Sequence, residues 1–106
     1  MPRPDFATDE QVLTKTAKKL KPPPLYRVLL HNDDFTTMEF VVFVLRSVFS
    51  RSDAEAVAIM LRVHQEGIGV AGTYTYEIAE AKAAKATVLA QAQEYPLLCT
   101  VEEAEG

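Results

Sequence analysis

Four side chains in this 106-residue chain are close enough in type and sequence to do chemistry together. Asn32, Asp33 and Asp34 follow His31 directly, and His64 stands further on. Asn and Asp turn the chain by bonding nearby backbone with short side chains. Three in a row without glycine make a polar corner of two carboxylates and one amide. Met38 follows within one helical turn, so acceptors sit beside a flexible hydrophobe. That pairing suits a ligand with a cationic head and an apolar body. The same residues permit a second chemistry: His31, Asp33, Asp34 and His64 offer nitrogen and oxygen ligands to a metal ion or a catalytic centre. Their spacing matches no established metal signature. A nucleophilic site would need Cys99 with a base such as His64. Cys99 alternates with Leu97 and Val101, which reads as a buried, inert thiol. There is no G-x-S-x-G, Walker loop or H-E-x-x-H.

These groups must be held by a small scaffold. The length allows one domain. Fifteen acidic residues against eleven basic ones give a net charge of −4, which argues against nucleic acid as the main partner. The longest apolar run, Phe40 to Leu45, is six residues, too short for a membrane helix. One cysteine cannot form an internal disulfide, which fits a reducing, cytoplasmic setting. The N-terminus has acidic residues and no apolar core, unlike a signal peptide.

Residues 1–23 read as a disordered extension that ends at Pro22-Pro23-Pro24, a stiff stop before the domain. Leu25 to His31 reads as a first strand, bounded by proline and by Asn-Asp. Thr36-x-x-Glu39 fits a capping box, which predicts Thr36 as the N-cap of a helix from Met38 to about Phe49. That helix is apolar nearly all round, so it must be buried on several sides or expose a patch. Ser52-x-x-Glu55 is a second capping box, opening a helix that Gly67 closes. Val57, Met60, Leu61 and His64 fall on one stripe of it, and Ala56, Ile59 and Val63 widen the apolar surface. Ile68 to Tyr76 reads as a second strand. A third helix, Tyr76 to Ala92, shows Glu77, Glu80, Lys82 and Lys85 on its exposed side. Leu97 to Val101 reads as a third strand, and 104–106 as a frayed end. The order β-α-α-β-α-β predicts an α+β fold: a three-stranded antiparallel sheet with three helices packed on one face.

The chain resembles the ClpS family, small adaptors that deliver N-degron substrates to a bacterial AAA+ protease. The resemblance runs from Lys21-Pro22-Pro23 to about Glu103. It rests on Asn32-Asp33-Asp34-Phe35-Thr36 with Met38-Glu39-Phe40-Val41, then Met60-Leu61-Arg62-Val63-His64 with Gly67, then Pro96-Leu97-Leu98-Cys99-Thr100. It implies that Asn32, Asp33 and His64 hold the free α-amino group of a substrate's first residue. It implies that Asp34, Thr36, Met38, Val41, Met60, Val63 and Leu97 form the pocket for the side chain, which would be Leu, Phe, Tyr or Trp. Glu77 and Lys82 would dock on the N-terminal domain of a ClpA-type unfoldase, and residues 1–23 would match the family's extension. The resemblance implies a non-enzymatic, monomeric adaptor with no cofactor or metal. Thr37 and Phe35 depart from the family's usual proline and tyrosine, and Phe43 is apolar where the family is often polar.

Overall fold

A computed structural model describes residues 22–104. The extension expected at 1–23 therefore lies outside the described residues, except for its last two prolines. Six elements follow in chain order: β1 (Leu25–His31), α1 (Met38–Ser47), α2 (Asp53–Glu66), β2 (Ile68–Thr75), α3 (Tyr76–Ala92) and β3 (Leu98–Glu103). The sheet is antiparallel in the order β2-β1-β3, with β1 in the centre. This is the expected architecture, helices on one face.

β1 shows why one face is covered. Val28 and Leu30 are fully buried in the core, while Arg27, Leu29 and His31 alternate onto the other face. There Arg27 pairs with Glu102 at 3.1 Å, directly across the ladder. The β1–β2 register slips between Val28 and Leu29, where Ala71 bulges out of the pairing. The Nε–H of Arg51 donates to the bulge carbonyl of Ala71 at 2.8 Å, so the irregularity is anchored.

Helix α1 meets most of its need for burial: Phe40, Val41, Val44 and Leu45 are buried, as are Val48 and Phe49 just beyond its end. Phe43 alone of its aromatics stays out, 52% exposed. The cap is one residue later than the sequence pattern predicts. Thr37 is the N-cap, its hydroxyl accepting from Phe40 N–H at 3.1 Å. Thr36 is drawn into the preceding turn instead, its N–H and its hydroxyl both donating to Asp33.

Helix α2 carries the predicted capping box, with Ser52 N–H donating to Glu55 at 3.0 Å and Glu55 N–H to Ser52 Oγ at 3.2 Å. Ser52→Ala removes one of these bonds at an exposed site and is expected to cost about 0.5–2 kcal/mol in urea unfolding. Wild-type stability in that variant would mean the box is not a folding determinant. The buried side of α2 is the widened part of the expected apolar surface, with only Met60 kept from the stripe itself. Ala56 and Val63 are buried and Ile59 and Met60 half-buried, whereas Val57 and Leu61 are exposed. Gly69 explains the rotation: a Cβ there would lie 2.7 Å from Val63 Cγ2, so its absence lets β2 press against that side of the helix.

Three further expectations change. Lys82 is half-buried rather than exposed, its Nζ donating to the Val48 carbonyl at 2.9 Å and lying 5.3 Å from the centre of the Tyr74 ring. Glu77, Glu80 and Lys85 are exposed as expected. Strand β3 starts one residue later and ends two later than predicted. Ala104 is not frayed, since its N–H donates to Leu25 O at 2.8 Å; residues 105 and 106 lie outside the described residues.

Candidate functional site

The polar corner after β1 is a built turn. Asp33 Oδ1 accepts from Phe35 N–H at 2.8 Å and Thr36 N–H at 2.7 Å, and Oδ2 accepts from the Thr36 hydroxyl at 2.7 Å. Partial burial pushes this carboxyl up, but the bonds from Thr36 and Phe35 outweigh it and hold it below the usual Asp value. The turn's bonding is therefore complete above the ordinary Asp range and is lost only as pH falls through this lowered value.

A second tie brings α2 to the corner. Asn32 N–H donates to Gly67 O at 2.9 Å. Gly67 closes α2 in the left-handed conformation, φ 88°, which a side chain would strain. His64 lies three residues earlier, in the last turn, and so comes to stand by Asn32 although 32 positions separate them in the chain.

Between the corner, α1 and α2 lies a cavity of about 240 Å³. Its polar part is Asn32, Asp33, Asp34, Thr36 and His64; its apolar part is Met38, Val41, Met60 and Val63. Met38 leans back toward the corner from the first turn of α1, as helix side chains do. All the pocket residues expected from the sequence are brought together except Leu97. Leu97 precedes β3 and is buried in the core, not on the cavity wall.

The metal-like set does not assemble. Among the described residues no three His, Cys, Asp or Glu side chains group as a metal site. His31 alternates to the open face of the sheet, where its Nε2 lies 2.8 Å from Thr100 Oγ1. Cys99 sits among core residues, and burial pushes its thiol up to about 11, the Thr87 hydrogen bond offsetting only part of this. Such a thiol is almost wholly protonated near neutral pH and is a poor nucleophile. Among the described residues no helix is long and apolar enough to cross a membrane.

With this geometry in place, comparison with known proteins is specific. The family described as ATP-dependent Clp protease adaptor protein ClpS matches residues 21–100. The chain belongs to the ClpS family. A Myxococcus xanthus relative, named ATP-dependent Clp protease adapter protein ClpS, is 53% identical over 100 residues, covering 92% of this chain and 94% of its own. The Caulobacter vibrioides adapter of the same name is 51% identical over 92 residues, covering 87% and 84%. Among solved structures, Agrobacterium tumefaciens ClpS2 bound to L-phenylalaninamide superposes with a TM-score of 0.76 at 40% identity, covering 78% of this chain and all of that one. As a ClpS-family chain it is an adaptor of the ATP-dependent Clp protease, and the resemblance seen in its motifs holds.

The family resemblance implied that His64 joins the corner; what escaped the sequence reading was the corner's internal bonding and the Asn32–Gly67 tie that seats His64. Gly67 was the signal available for the second, since a helix that ends there must place its last turn beside whatever the glycine carbonyl binds.

Proposed function

We propose that the cavity seats the first residue of a protein chain with a free amino terminus, and that the domain presents such chains to a ClpA-type unfoldase for degradation. One observation carries the reading: acceptors and an apolar wall meet in a single cavity of about 240 Å³. Drug-sized ligands need about 300–1,000 Å³, so this volume suits one amino-acid residue. The ligand of the Agrobacterium relative, L-phenylalaninamide, has the same two parts, a free amine and an apolar side chain.

Asp33 carries three hydrogen bonds of its own turn, yet its Oδ2 accepts only one of them and keeps a lone pair free. The Asp33 carboxylate, the Asn32 side-chain carbonyl and the His64 ring meet the α-ammonium, which has a pKa of about 8 and is charged at neutral pH. Asp34 stands on the same rim of the cavity. Met38, Val41, Met60 and Val63 receive the side chain, and burying a Leu or Phe there contributes about 1.5–3 kcal/mol.

Met38 sets the selectivity. It is 43% exposed on the cavity wall, nearest in sequence to the corner that holds the amine. The Cβ of the bound residue lies close to the amine, so a β-branched residue brings its extra atom against this wall. Leu, Phe, Tyr and Trp bind; Ile and Val bind poorly, by about 10- to 200-fold. Fluorescence titration of Leu-, Phe-, Ile- and Val-starting peptides should show Met38→Ala narrowing that gap, with some loss for Leu. An unchanged Leu-to-Ile ratio would refute the gatekeeper role.

Docking on the unfoldase is assigned to the α3 surface. Glu77 is exposed in the first turn, while Lys82 holds the end of α1 against α3 and shapes the surface from beneath. Residues 1–23 take part in handover. Deleting residues 1–17 is expected to leave peptide affinity intact and slow the degradation of a Leu-starting protein by the ClpA-type protease. Equal degradation rates would reduce the segment to a passive one.

A further inference from the structure

We propose that Phe35 selects the second residue of the bound chain, favouring a large apolar or aromatic side chain there. This rests on the cavity being the seat of the first residue. Phe35 is 75% exposed, more than any other large hydrophobic side chain among the described residues. It belongs to none of the aromatic pairs among them. Yet it is not on a loose loop. Its own N–H donates to Asp33 Oδ1 at 2.8 Å, and the next N–H donates to the same oxygen at 2.7 Å. A phenyl ring is thus fixed to a bonded corner and left in water, where it gains nothing from the fold until something covers it.

The position names the cover. The two neighbours of Phe35, Asp34 and Thr36, both line the cavity. The cavity has room for one residue, so the second must lie outside it. The first residue's amine is held at the corner and its side chain points to Met38 and Val41. Its carbonyl therefore leaves at the mouth, and the next Cα follows about 3.8 Å on. The second side chain then emerges beside the corner that carries Phe35. Asp34 and Glu39, an exposed acid in the first turn of α1, supply no cation to favour an acidic side chain there, so the ring is the attractive feature.

The test uses peptides that begin Leu-Phe, Leu-Leu and Leu-Gly and are otherwise identical, titrated by fluorescence anisotropy. The natural protein should prefer Leu-Phe to Leu-Gly by about three- to tenfold, the range of an exposed aromatic pair. Phe35→Tyr should keep that preference, and Phe35→Ala should bring the ratio to within about twofold of one. Thermal unfolding of both variants checks that the corner is intact. No preference in the natural protein, or one that survives Phe35→Ala, overturns the proposal. An N-acetylated Leu-Phe peptide separates the two readings: if it binds as tightly as the free one, the seat itself is wrong, whereas a strong dependence on the amine with no dependence on Phe35 overturns only this inference.

Discussion

Acetylating the amino terminus of a Leu-starting peptide should abolish most of its binding. In the proposed seat the α-ammonium meets Asn32, Asp33 and His64 at the polar end of the cavity. Each charge-assisted hydrogen bond contributes about 1.5–3 kcal/mol, so the loss of two removes at least about 3 kcal/mol, more than a hundredfold in affinity. The acetyl group also leaves a carboxylate facing a neutral amide. Asp34→Ala should weaken binding less, with little change in unfolding temperature, because Asp34 is exposed on the rim. Asp33→Ala should lose the larger share of affinity. It breaks three bonds that fix the corner, so it lowers stability and weakens binding together. Equal affinity for free and acetylated peptides in isothermal titration would refute the amine reading. If Asp34→Ala lost more affinity than Asp33→Ala, the roles assigned to the two carboxylates would be exchanged.

That division of roles shows where sequence reasoning stops. The bounds of β1 were legible because proline cannot continue a strand backwards and Asn-Asp turns the chain after His31. The bounds of α2 were legible because Ser52-x-x-Glu55 and Gly67 each satisfy orphan backbone groups in one known way. Two adjacent threonines were not legible. Thr36-x-x-Glu39 fits the capping box, yet Thr36 turns toward Asp33, donating both its N–H and its hydroxyl there, and Thr37 caps α1. The facing of α2 was only partly legible: Ala56, Ile59 and Val63 stood at the edge of the expected stripe and are the buried side. Val57 and Leu61 are more hydrophobic than Ala56, but Gly69 on the opposite strand decides which side can approach, and a helix pattern carries no word of its neighbour. Lys82 looked solvated because lysine usually is; a carbonyl left open at the end of α1 and the face of Tyr74 draw it in. Leu97 shared a face with Cys99 and Val101 by alternation, but it lies before the strand begins and packs into the core instead.

Leu45→Ala is expected to have the largest effect on stability. Leu45 is fully buried, in a domain whose core is modest, and it follows Met38 and Val41 on one face of α1 at i, i+3 and i+7. The helix that walls the cavity is thus seated through this side chain. Truncation removes the transfer free energy of the lost atoms and leaves a void that packed neighbours fill only in part, for a total of about 2–5 kcal/mol. A domain of this size loses about 4–8 °C in Tm for each kcal/mol, so the variant should melt at least about 8 °C lower. Binding offers a second reading of the same variant. A peptide at a hundred times its Kd contributes about 2.7 kcal/mol by mass action. Saturating Leu-starting peptide should therefore recover a similar amount in the natural protein and in Leu45→Ala, because Val41 and Met38 still form the wall. A loss of less than about 1 kcal/mol on truncation would show that Leu45 does not seat the helix. A normal loss without recovery by peptide would show that the void beneath Val41 collapses the cavity wall, making Leu45 a support of the binding site as well as of the core.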